Sequence, residues 1–185
     1  SEDQLGSPYD YNNSGLLLLP EDMPAPSHEA YITEIARTII SLSEKTNGRT
    51  VVLFTSYSAL RSVASLIRDE LRDKGIPVLA QGLDGSPQQL IRRFNQNPNG
   101  VILGTNSFWE GVDFARETLK LLIITRLPFQ VPTDPIVQAR SSLYENSFQE
   151  YSVPQAILKF RQGIGRLIRS TEDRGAVVIL DNRIV

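Results

Sequence analysis

The segment Gln162-Gly163-Ile164-Gly165-Arg166-Leu167-Ile168-Arg169 holds the residues best suited to chemistry in this 185-residue chain. At helical spacing Gln162, Arg166 and Arg169 stand at i, i+4 and i+7, so they share one face. A guanidinium is a planar fork of donors that matches phosphate oxygens, whereas a Lys ammonium is a point charge. Gly163 and Gly165 each cost about 1 kcal/mol against Ala in a helix interior. A helix built only for stability avoids them; such local departures are expected where a ligand or another backbone comes close. Two cationic forks and an amide beside bare backbone suit a polyphosphate. Taken alone, the segment reads equally well as an amphipathic helix with two surface arginines, packed through Ile157, Phe160, Ile164 and Ile168. It is not a dinucleotide fingerprint, because Ile168 occupies the third glycine position and no strand precedes the run.

A second segment runs Gly104-Thr105-Asn106-Ser107-Phe108-Trp109-Glu110-Gly111-Val112-Asp113-Phe114. Its glycines allow a ligand to approach the backbone. Asp113 can accept a ribose hydroxyl, and Thr105 and Ser107 can contact a nucleic-acid phosphate. Trp109 reads better as a core or interface anchor than as a base stacker. Glu110 and Asp113 as an acid/base pair lack a nucleophile beside them. A third segment, Thr55-Ser56-Tyr57-Ser58, lies between a strand and a helix, where hydroxyls and a helix N-terminus can hold a phosphate. Ser58 is expected to cap that helix.

Composition narrows the classes. Lys and Arg number 19 against 21 Asp and Glu, so this is not a generic nucleic-acid coat. Arg161, Arg166, Arg169, Arg174 and Arg183 nevertheless crowd the C-terminal end. There is no Cys, hence no disulfide and no cysteine metal site. The single His, His28, reads as a polar residue near a helix start. The apolar runs are strand-sized, no membrane span or leader peptide is visible, and a cytoplasmic protein, in a bacterial cytosol, is expected.

The elements that must position these residues follow a rhythm. Residues 1–26 read as an irregular arm, in which Leu16 to Leu19 can anchor or add an edge strand. A helix capped by Ser27 carries Ile32, Ile35, Ala36, Ile39 and Ile40 and ends at Gly48. Strands are expected at Val51–Phe54, Pro77–Ala80, Val101–Leu103, Leu121–Thr125 and Ala176–Leu180. A helix with Leu60, Val63, Ala64, Ile67 and Leu71 closes at Gly75. Ser86-Pro87-Gln88-Gln89 is a capping box with Pro at the first helical position. A long helical region covers 134–169, broken near Ser152 and Pro154. Strands alternating with helices predict a mainly parallel α/β sheet over 27–185, with ligands at the carboxyl ends of the strands. Those ends carry Thr55-Ser56-Tyr57, Gln81-Gly82, Gly104-Thr105-Asn106-Ser107, Arg126 and Asp181-Asn182-Arg183.

In this order and spacing the three segments resemble the C-terminal motor lobe of DinG/XPD-like superfamily 2 helicases. Phe54-Thr55-Ser56-Tyr57 looks like motif IV, Gly104 to Phe114 like motif V, and Gln162-x-x-Gly165-Arg166-x-x-Arg169 like motif VI. Arg126-Leu127-Pro128-Phe129, Pro132 and Asp134-Pro135 fit the DinG branch, as does Leu19-Pro20-Glu21-Asp22-Met23-Pro24. The resemblance implies a RecA-like sheet flanked by helices, without its own P-loop. It implies that Arg166 and Arg169 are arginine fingers on the γ-phosphate of ATP with Gln162 beside them. It further implies that Glu110, Gly111, Asp113 and Gly165 border the nucleotide, and that Thr55, Ser56, Tyr57, Thr105 and Ser107 face single-stranded DNA. The family runs 5′ to 3′ with ATP and magnesium.

A P-loop needs GxxxxGK[ST] to cradle phosphates, and this chain has no Gly-Lys dipeptide. No acidic DExH box follows a strand either. ATP and Mg²⁺ are therefore expected mainly on an N-terminal lobe of the same polypeptide, as is any iron–sulfur cluster, and the chain reads as a fragment of a larger protein. A free-standing, non-catalytic RecA-like module that binds nucleic acid or protein is the rival reading.

Overall fold

Four of the six strands are buried at every position, as suits a parallel sheet covered on both faces. A computed structural model describes residues 15–105, 108, 114, 119–165 and 174–184. Its strands are β1 (Gly15–Leu18), β2 (Thr50–Leu53), β3 (Val78–Ala80), β4 (Val101–Gly104), β5 (Leu121–Ile124) and β6 (Gly175–Ile179). They form one sheet in the order β1-β6-β5-β2-β4-β3, and every pairing is parallel. Leu16 to Leu18 of the arm thus join the sheet as its outer strand, with all four residues of β1 exposed.

Successive strand residues point to opposite faces, and two cores result. Val52, Phe54, Leu103, Ile123 and Val178 pack with helix α1 (Tyr31–Lys45) and helix α2 (Tyr57–Asp73). Val51, Leu53, Ile102, Leu122 and Ile179 pack with Leu90 and Phe94 of helix α3 (Pro87–Gln96). Phe108, Phe114 and Leu119 join this second core, and Phe160 and Ile164 of helix α5 (Val153–Ile164) lean on it. Among the described residues no helix is long and apolar enough to cross a membrane.

Local sequence explains most ends. The Ser86 capping box is present: Gln89 N–H donates to Ser86 Oγ at 3.4 Å, and Ser86 N–H to Gln89 Oε1 at 2.8 Å. Gly75, at φ +76°, closes α2. Three expectations are corrected. The cap of α2 is Ser56, which accepts from Ala59 N–H at 3.3 Å, and not Ser58, which is exposed. Helix α1 begins after Ala30 with no side-chain cap, because a turn at His28 precedes it; Ser27 does not cap it. His28 instead accepts Ala30 N–H on Nδ1 at 3.1 Å, the local polar role read from the sequence.

The third correction concerns the long helical region. Helix α4 (Pro135–Ser141) stops well before Ser152, and a π-turn (Phe148–Ser152) runs directly into α5. The break therefore falls at 142–147. Pro154 sits in the first turn of α5, directly after the π-turn, and so does not break the helix there. Ile157 is 51% exposed; the packed face of α5 is Ala156, Phe160, Gly163 and Ile164.

At the amino edge the turn from α1 to β2 is tight: Asn47, Gly48 and Arg49 all have positive φ, Gly48 at +73°. A Cβ on Gly48 would lie 2.0 Å from the Asn99 carbonyl oxygen. Both the backbone conformation and the contact exclude a side chain. Gly48→Ala is expected to destabilise the lobe by about 2–3 kcal/mol, read as a lower urea midpoint at unchanged slope.

Candidate functional site

Because every strand is parallel, all six carboxyl ends open on one edge, and polar residues follow five of them. Two hydrogen-bonded clusters organise this edge.

The first joins β2, β3 and β4. Gln81, directly after β3, is 6% exposed, and Thr105, directly after β4, is 4% exposed. Gln81 Oε1 accepts from Thr105 N–H at 2.8 Å and from Thr105 Oγ1 at 3.2 Å. Gln81 Nε2 donates to the Tyr57 hydroxyl at 2.7 Å. Tyr57, at the start of α2, is 46% exposed, and a Cβ on Gly82 (φ +78°) would lie 3.6 Å from its ring. Asp84 buttresses the turn after β3. It takes a bidentate pair from Arg68 at 2.8 and 3.0 Å and accepts Ala80 N–H at 2.7 Å. Burial raises the Asp84 carboxyl, but the Arg68 and Ala80 hydrogen bonds outweigh it and hold the group below its usual range.

The second cluster joins β5 and β6. The Tyr31 hydroxyl, buried under α1, donates to the Thr125 and Leu180 carbonyls, the latter at 3.2 Å. Burial, with the nearby Asp181 charge, pushes its pKa to about 12. The Arg126 guanidinium lies over the Tyr31 ring, 5.3 Å from its centre, and donates to the Pro26 carbonyl. Asp181, 1% exposed, accepts from Leu127 N–H at 2.9 Å and from the Arg183 fork at 2.6 and 2.8 Å. Burial raises this carboxyl, and the hydrogen bonds from Arg183 and Leu127 outweigh it, so its pKa lies below the ordinary value. Arg183 is thereby committed to Asp181 and is not a loose phosphate fork.

Two phenylalanines that follow β4 in sequence are packed into the core. Phe108 is buried over Gly104, where a Cβ would meet its ring at 2.5 Å. Phe114 meets Phe94 edge to face at 5.7 Å. Gly104 is thus required by packing.

Of the expected site residues, the structure brings Tyr57 and Thr105 together through Gln81. Thr55 and Ser56 stand on the same edge after β2, Thr55 half-buried and Ser56 exposed and capping α2. Gln162 is exposed on the last turn of α5. Gly165 is exposed beyond it, where among the described residues a Cβ would meet the Arg161 and Gln162 carbonyls, at 3.2 and 3.9 Å. None of the described hydrogen bonds joins Gln162 to the edge clusters. Ser107, Glu110, Gly111, Asp113, Arg166 and Arg169 lie outside the described residues, as does Trp109. Sequence reasoning placed Gln81 at a strand end but missed its role; the signal was a polar residue closing an apolar strand just before a glycine. Among the described residues no three His, Asp or Glu side chains gather where a metal ion could be held.

The helicase C-terminal domain family matches residues 39–185. The chain is 38% identical over 189 residues to the 3′-5′ exonuclease DinG of Bacillus subtilis, covering 98% of this chain and 20% of that protein. It is 38% identical over 185 residues to the ATP-dependent DNA helicase YoaA of Escherichia coli, covering 98% and 28%. With the ATP-dependent helicase DinG of Mycobacterium tuberculosis it shares 35% over 189 residues, covering 97% and 27%. The chain therefore spans only 20–28% of the length of these curated relatives. An XPD helicase structure matches 92% of this chain and 32% of its own, with a TM-score of 0.74 at 20% identity. Domain 2 of the DEAD-box helicase Mss116p bound to an RNA duplex matches 89% and 53%, with a TM-score of 0.52 at 15% identity. These structural likenesses establish the RecA-like fold.

The depressed Asp181 pKa fixes a pH dependence. Its stabilising effect is complete above the unfolded carboxylate pKa of about 3.9 and is lost as pH falls through the lower folded value. Asp181→Asn is expected to cost about 2 kcal/mol at neutral pH, because a buried acceptor of several N–H groups is replaced. In urea unfolding the gap between the two proteins should narrow steadily below about pH 4.

Proposed function

This chain belongs to the helicase C-terminal domain family as a DinG/XPD-like superfamily 2 lobe, and from that membership we propose that it is the finger-bearing half of an ATP-dependent DNA helicase that moves 5′ to 3′. ATP binds an N-terminal lobe of the same polypeptide. Arg166 and Arg169 reach across the cleft to its γ-phosphate, with Gln162 beside them and Glu110, Gly111, Asp113 and Gly165 bordering the nucleotide. Arginine fingers are worth on the order of 10³–10⁵ in rate in other nucleotidases. Magnesium would supply neutralisation of the charge that develops on the phosphates; among the described residues of this lobe no cluster of His, Asp or Glu would hold it. An iron–sulfur cluster, where the full-length protein has one, belongs to the other lobe.

Thr55, Ser56, Tyr57, Thr105 and Ser107 face the single strand. The observation that carries this is the shared edge, where Tyr57 and Thr105, from separate segments, are tied to one buried amide. Cleft closure and opening alternate the grip on the strand and turn hydrolysis into stepping.

The rival reading, a free-standing RecA-like module that binds nucleic acid or a protein partner without catalytic duty, draws on the missing P-loop of this sequence. The two readings part at Arg166. In the complete protein Arg166→Ala is expected to lower ATP turnover by at least ~10³ while leaving single-strand affinity within about threefold. Normal turnover in that variant favours the binding module. The 185-residue lobe alone is expected to show no magnesium-dependent ATP turnover in a phosphate-release assay.

A further inference from the structure

Gln81 is nearly sealed from water, and among the described residues its amide meets Thr105 and Tyr57, groups of unequal freedom. A backbone N–H can only donate, so the atom facing Thr105 N–H at 2.8 Å must be the amide oxygen. The amide nitrogen then faces the Tyr57 hydroxyl at 2.7 Å, and as a donor it obliges the phenol oxygen to accept. A phenol carries one proton, and with its inner side accepting, that proton turns outward. Tyr57 is half-exposed on the carboxyl edge. The rigid amide plane also ties the position of Tyr57 to that of Thr105, which opens the segment after β4.

We propose that Gln81 is a positioning residue that orients the Tyr57 hydroxyl as a hydrogen-bond donor to a phosphate oxygen of the bound single strand. The proposal rests on the reading that this edge faces DNA, and it adds a polarity and a cause to that reading. Tyr57 contributes a neutral donor, so the contact is independent of base sequence and displaces no counterion. Thr105 sets the direction of the Gln81 amide through its backbone N–H, with its hydroxyl as a second donor to the same oxygen.

The test uses the complete protein and a fluorescently labelled oligothymidylate, with affinity read by anisotropy across a salt series and folding read by thermal unfolding. Tyr57→Phe, Gln81→Met and the double variant are compared with the parent. Tyr57→Phe is expected to weaken binding about tenfold, the size of one hydrogen bond to a charged group. The slope of log affinity against log salt should match the parent, while the variant's thermal midpoint falls by a few degrees, because the buried Gln81 Nε2 loses an acceptor. Gln81→Met is expected to weaken binding by a similar factor, and the double variant to bind no more weakly than Tyr57→Phe, because both changes remove one contact. Parent-like affinity in Tyr57→Phe overturns the proposal, as does multiplication of the two factors in the double variant. A Gln81→Met protein that loses only thermal stability reduces Gln81 to a packing role and overturns it too. A parent that fails to bind the oligonucleotide overturns the DNA reading itself, and this proposal with it.

Discussion

The hydrogen bonds pairing β2 with β4 on one side and β5 on the other hold Leu53 level with Gly104 and with Ile124. The placement of the polar edge depends on that register. A slip of one residue would turn every apolar side chain of a strand to the wrong face, and here both faces are buried, so the register is held from both sides. With three strand ends level, the residues that follow them meet within hydrogen-bond reach. Thr125 shows this directly: its N–H and its hydroxyl both reach the Leu53 carbonyl at 3.0 Å.

The two halves of the edge are fastened by different chemistry. The β5–β6 half uses a buried carboxylate, a buried phenol and two arginines, so its ties are strong and sensitive to acid. The β2–β4–β3 half meets at a neutral amide, and its one ionic tie, Arg68 to Asp84, sits a turn away. Neutral ties break and re-form more easily than a buried charge pair, which leaves another charge stranded when it opens. The half that holds Tyr57 and Thr105 is thus the one better suited to move with a ligand, and the half under Tyr31 is the one suited to stay fixed.

Much of this architecture was legible in the sequence. The continuous apolar strands and the Ser86 capping box declare themselves through residue type alone, and parallel pairing follows from strand–helix alternation. The N-cap at Ser58 misled because two serines flank the start of α2 and only the backbone conformation selects one, Ser56 being extended and Ser58 helical; Ser27 misled because a turn at His28 intervenes and α1 has no side-chain cap. The break at 142–147 carries no Pro or Gly to announce it. Gln81 was visible as a strand end, but its role depends on Tyr57, 24 positions away. That contact exists only once β3 and β4 lie side by side, so no local pattern encodes it.

The outer strand has a practical side. Leu16, Leu17, Leu18 and Leu19 are 57, 54, 37 and 38% exposed, and β1 pairs only with β6 among the described residues. An apolar strand with an open row of amides and carbonyls is a template for another strand. On its own and concentrated, this domain carries a built-in tendency to self-associate edge to edge. A charged residue at an outward position of β1 is the natural remedy for anyone preparing the lobe alone, because it opposes stacking of copies while leaving the Gln81, Tyr57 and Thr105 cluster, at the other end of the strand order, untouched.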